Sequence, residues 1–152
     1  MNKLELQNSA NLLPRVSEET ANNYRAKTGA MTEQVNQILL ENEAIDCLIG
    51  NENIDLMKNN HENHASFMVS ILDNFKAEIL VNTILWVFKV YRSRGFNPAY
   101  WQEQLHGWIA AVKTHIDTQH QKEIIDYYQW MLDHVNDFTE LTDIEVKEES
   151  KS

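Results

Sequence analysis

The sequence predicts an all-α fold, a single domain of five or six helices arranged as a globin-like or irregular helical bundle. Three observations lead there. Apolar residues recur at spacings of three and four nearly throughout, and no segment of any length alternates with period two. Four Gly and two Pro are too few for the closely spaced turns of a sandwich, a barrel or a many-turned α/β fold. The 152 residues, 43% hydrophobic and 24% charged, suit one globular domain with a substantial core.

Residues 1–16 read as an N-terminal arm, 17–138 as the helical domain and 139–152 as an acidic flexible tail. Ser17 before Glu18 and Glu19 is an N-cap with acidic residues in the first turn, and Gly29 is expected to stop that helix. Thr32 is expected to cap a second helix, with Val35, Ile38, Leu39, Ile45, Leu48 and Ile49 inward and Gly50 closing it. Met57, His61, His64, Met68, Ile71 and Phe75 then form one stripe down a third. The segment from Lys76 to Arg94 is the most hydrophobic in the chain. Its apolar residues cover more than one side, which predicts a central buried helix ended by Gly95, with Arg92 and Arg94 favouring the dipole in its last turn.

Asn97-Pro98 is the clearest start signal, a capping residue followed by a proline whose missing N–H costs nothing at the first helical position. Trp101, Leu105, Trp108, Ile109, Val112 and Ile116 form the stripe of this fifth helix. Asp117 or Thr118 opens a sixth, lined by Ile124, Tyr128, Met131, Val135 and Phe138. Beyond it, five acidic residues and two lysines leave only Leu141, Ile144 and Val146 to bury.

Thirteen Lys and Arg against 23 Asp and Glu give a net charge of −10. Such a field opposes approach to phosphates or anionic lipid, so neither nucleic acid nor a membrane is an expected partner. The longest apolar stretch, Ile79 to Tyr91, is interrupted by Asn82, Thr83 and Lys89 and falls short of the ~20 residues of a membrane span. With no signal-like start, a cytoplasmic, reducing location is expected. The single cysteine, Cys47, follows Asp46 near a predicted helix C-terminus, a setting that works against a thiolate, and is expected to be buried and inert. No nucleophile elbow, P-loop or dinucleotide fingerprint is present, and no enzyme activity is expected.

Histidine is the commonest metal ligand, so His61 and His64 are the candidate metal or haem ligands, alongside the bland reading that they are boundary residues of an apolar face. Glu103 and His106 form a Glu-x-x-His, but a di-iron site needs a second copy, and the nearest approximation, Asp117 to His120, lies at a helix start. All four Trp, and eleven of the fourteen aromatic residues, lie between Trp86 and Phe138. They either fill the core or line a pocket, in which case Trp86, Tyr91 and Trp108 join the two histidines as cofactor-binding candidates. Arg92 and Arg94, near Lys89, either cap a helix or hold one anionic group. With Trp101, Leu105 and Trp108 they are the candidate interaction residues.

The stretch from Phe75 to Ile116 combines an apolar helix, Tyr91-Arg92-Ser93-Arg94-Gly95-Phe96, and a second helix with Tyr100, Trp101, Leu105 and Trp108. It resembles the all-helical input modules placed before signalling or cobalamin-binding domains, including the non-haem globin-like sensor domain of stressosome RsbR-type proteins. The resemblance implies a globin-like bundle that dimerises through helix faces and transmits a signal without catalysis. The leading expectation is therefore a cytoplasmic sensory or regulatory module acting through a protein partner or as a homodimer. The alternative is a haem-type or other cofactor-binding globin with His61 or His64 as axial ligand.

Overall fold

The computed structural model describes the backbone of residues 1–151 and the side chains of residues 1–143. The described residues form eight helices and no strand. They are α1 (Lys3–Ala10), α2 (Glu18–Leu40), α3 (Ile45–Ile49), α4 (Ile54–Asp73), α5 (Ala77–Ser93), α6 (Ala99–His115), α7 (Thr118–Asp133) and α8 (Val135–Lys151). The all-α expectation holds, and the count of five or six is corrected to eight.

Local chemistry accounts for the two helices at the N-terminal side. Asn2 and Glu5 make a capping box at α1, Glu5 N–H donating to Asn2 Oδ1 at 2.8 Å and Asn2 N–H to Glu5 Oε1 at 3.1 Å. Leu6 and Ala10 are buried, so α1 is part of the packed domain. Ser17 caps α2 as expected, accepting from Thr20 N–H at 3.1 Å. Gly29 does not stop that helix, and Thr32 does not begin another; α2 runs through both. Tyr24 and Met31, on either side of the glycine, are fully buried, and their packing outweighs the ~1 kcal/mol a helical glycine costs.

The helix expected to reach Gly50 breaks after Leu40, and Gly50 closes only the short α3, with φ +81°. A Cβ there would lie 3.3 Å from the carbonyl oxygen of Gly95. Asn53 Nδ2 donates to the carbonyls of Ile49 at 2.7 Å and Arg94 at 2.8 Å, and Asn97 N–H donates to Leu48 O at 2.8 Å. The turn before α4 is thereby tied to the turn between α5 and α6. At that second turn Asn97 Oδ1 accepts from Ala99 N–H at 2.9 Å, and α6 starts one residue later than expected, with Pro98 at the cap rather than at the first helical position.

The centre of the bundle is α2, packed against α4, α6 and α7, while α1 and α8 both lie along α5. This corrects the expectation that α5 is the central helix. Its inner face, including Leu80, Val81, Leu85 and Phe88, is buried, but Trp86 is 63% exposed and Ile79 47% exposed on the other side. The predicted sixth helix is two: the chain breaks at His134, and α8 continues from Val135. Residues 139–143 of the expected tail belong to α8, with Thr142 buried and Leu141 packed on the core. The side chains of residues 144–152, including Ile144 and Val146, lie outside the described residues.

Candidate functional site

A cavity of about 210 Å³ opens beside α5 and reaches inward between α4, α6, α7 and α8. Its wall is mostly apolar and aromatic: Phe67 from α4, Ile84, Trp86, Phe88 and Tyr91 from α5, Trp101 and Leu105 from α6, Met131 from α7 and Phe138 from α8. Phe88 and Trp101 stack with centroids 4.4 Å apart and planes 8° from parallel, a rigid double wall. The hydrophobic surplus of α5 serves this wall and accounts for apolar residues beyond those its buried face needs.

The polar part of the lining is Asn60, Asn63, His64, Thr83 and Gln104. Gln104 is 2% exposed and donates through Nε2 to Asn60 Oδ1 at 3.2 Å. The Tyr100 hydroxyl donates to the same oxygen at 2.8 Å. Among the described residues no Lys, Arg, Asp or Glu lines the cavity.

Both sequence-predicted histidines are anchored from behind. His61 is fully buried, its Nδ1 2.6 Å from Asn36 Oδ1 and its Nε2 2.9 Å from the Tyr100 hydroxyl. It does not line the cavity. His64 does, with Nε2 2.9 Å from the Tyr128 hydroxyl, which lies 2.8 Å from the hydroxyl of Tyr24. Burial pushes His61 down to about 3. Burial, with a smaller contribution from nearby His61, does the same to His64, also to about 3. Both rings are therefore neutral at pH 7. An axial haem ligand must aim a free ring lone pair at iron. In His61 both nitrogens are engaged within the protein, and in His64 the engaged atom is Nε2.

Of the other predicted residues, Trp86, Tyr91, Trp101 and Leu105 do line the cavity. Trp108 does not; it is fully buried, tilted against His64 at 4.7 Å and stacked on Tyr128 at 6.3 Å. Trp101, Leu105 and Trp108, expected as an interaction face, all point into the core because α6 is packed on α2 and α7. Arg92 is ion-paired with Asp143 of α8, while Arg94 is exposed at the end of α5. Cys47 is exposed, correcting the expectation of a buried thiol; α3 is too short to cover both its sides. Among the described residues no three His, Cys, Asp or Glu side chains converge to hold a metal ion, and no helix is long and apolar enough to cross a membrane.

Sequence reasoning missed Asn60, Gln104, Tyr100 and Tyr128 as a group. The signal was present: Asn60 adjoins the Met57–His61 stripe, and Gln104 stands between Trp101 and Trp108 on the buried side of α6. A polar residue at an inward position must find partners there. No family model matches the chain, nor does any curated protein or solved structure.

Proposed function

We propose that the chain is a non-catalytic, ligand-responsive regulatory module. It takes up a small, mainly apolar molecule in the cavity beside α5 and passes the occupied state to a protein partner or a second copy of itself. The observation that carries this reading is the cavity itself: open to the surface, walled by stacked aromatic rings and floored by a few hydrogen-bonding groups, the usual make-up of a small-molecule site. Its size supports a ligand of one or two rings, since an apolar cavity of about 150 Å³ already holds benzene. A non-catalytic role accords with the residues present: the lining offers neutral amides, hydroxyls and a neutral imidazole, and among the described residues neither a nucleophile–base pair nor paired carboxylates face it.

Calorimetric titration with indole and 2-naphthol tests the reading. Saturable binding of either to the wild-type chain is expected, with loss of binding in Ile84→Trp, which adds a ring at the cavity mouth. Failure of both to bind, or equal binding by the variant, overturns it. A Soret band on adding haem that disappears in His64→Ala would instead favour a haem protein.

A further inference from the structure

We infer that the ligand of this cavity is uncharged, an aromatic or alicyclic body carrying one neutral hydrogen-bonding group that meets the Asn60–Gln104 amides. The inference rests on the ligand-binding reading above and narrows it to a chemical class. Three features of the site converge on it.

The first is what the lining contains. Its polar residues are Asn60, Asn63, Gln104, Thr83 and His64, and among the described residues no formal charge faces the cavity. A carboxylate or an ammonium entering it would leave water without a counter-charge, and an unpaired buried charge is far more costly than an unpaired amide. His64, held neutral by burial, does not supply a cation. The acidic surface, with a net charge of −10, adds a long-range penalty for anions.

The second is how the polar residues are held. Asn60 and Gln104 are nearly buried, and each is fixed in place: Asn60 Oδ1 accepts from both Tyr100 and Gln104. Tyr100 is tied in turn to His61, and His61 to Asn36. Amides fixed this way present set dipoles to a mostly apolar space, which orients a neutral alcohol, amide, ketone or ring N–H without reorganisation.

The third is the distribution of rings. Phe88 and Trp101, stacked face to face, and Tyr91, edge-on to Trp101 at 6.0 Å, leave flat faces and edges for a planar or compact apolar body.

The test uses four probes of nearly equal size on the full chain: naphthalene, 2-naphthol, 2-naphthoate and the ammonium form of 2-naphthylmethylamine, followed by quenching of tryptophan fluorescence. The expected order places 2-naphthol first, naphthalene next, and both ions at least about tenfold weaker than 2-naphthol, the ratio of one unpaired polar group or more. In Gln104→Leu, with melting confirming that the chain folds, 2-naphthol should lose its advantage over naphthalene while naphthalene binds as before. If that variant does not fold, Gln104→Met, closer in shape to glutamine, replaces it, with the same expected loss of the 2-naphthol advantage; a retained advantage in a folded variant overturns the role of the amide. Binding of either ion as tight as that of 2-naphthol overturns the inference and leaves the ligand-binding reading standing. No binding of any of the four overturns both.

Discussion

His61 and Tyr100 share a hydrogen bond of 2.9 Å deep in the bundle, their rings nearly parallel at an interplanar angle of 16°. His61 also meets Asn36 Oδ1 through its other nitrogen, and a neutral ring can donate through only one of the two. The Tyr100 hydroxyl has a single proton, which Asn60 Oδ1 also draws on. A set of fixed partners, each dependent on the next, joins α2, α4 and α6.

Acid should weaken the fold through the histidines. The folded values of His61 and His64 lie near 3, below the ordinary 6.5 of the unfolded chain. Between these values the unfolded state binds more protons than the folded one, so stability is full above about pH 6.5 and falls as the pH drops toward 3. Each histidine contributes up to about 1.4 kcal/mol per pH unit in that window. Glu123 and Asp137, lowered mainly by Thr20 and by His134 respectively, add a loss in the same direction only below their ordinary carboxylate values. Urea melts from pH 7 to 4.5 isolate the histidine part, and a flat profile there would contradict it.

Tyr100→Phe removes the hydroxyl that Asn60 and His61 share. We expect a loss of about 1–3 kcal/mol, the cost of leaving buried polar groups unpartnered. His61→Leu in the same background should then cost less than it does alone, because the two effects overlap. Additive losses in denaturant titration would show that the two residues are not coupled.

Gly50→Ala should destabilise the chain by more than the few tenths usual for an exposed loop. It forces a side chain into φ +81° and sets a Cβ against the Gly95 carbonyl. Gly29→Ala should do the opposite by several tenths of a kcal/mol, since nothing lies within 4 Å of a Cβ there and alanine favours the helix. Paired thermal melts settle both signs.

Trp101→Ala should cost about 3–5 kcal/mol, because the indole is buried, stacked on Phe88 and edge-packed against Tyr100. Trp86→Ala should leave stability within about 0.5 kcal/mol, as a largely exposed ring contributes little to the core. A Trp86 change as costly as the Trp101 change would contradict the exposure of Trp86 on the outer side of α5.

The helical class and α4, α5 and α6 were legible because long apolar stripes with strong end signals, such as Asn97-Pro98 and Gly95, leave little room for another reading. Gly29 misled because its propensity is local, whereas the burial of Tyr24 and Met31 on each side is not. The break at His134 carries neither glycine nor proline, so nothing in composition announces that α7 ends there. At the site, the aromatic surplus left core filling and a ring-lined pocket both open; the rings divide between them, with Trp108 in the core and Trp86 and Tyr91 beside His64 at the cavity. The pairing of Asn60 with Gln104 was not foretold, since it joins residues 44 positions apart on different helices.

The placement of α5 has a mechanical consequence. It forms one wall of the cavity, and both α1 and α8 lie against it, with Arg92 of α5 gripping Asp143 of α8. The amino group of Met1 reaches Asp137 at 2.9 Å, so the first and last helices are also joined directly. Any displacement of α5 would therefore be felt at the cavity and at α1 and α8 together, because the one helix borders all three.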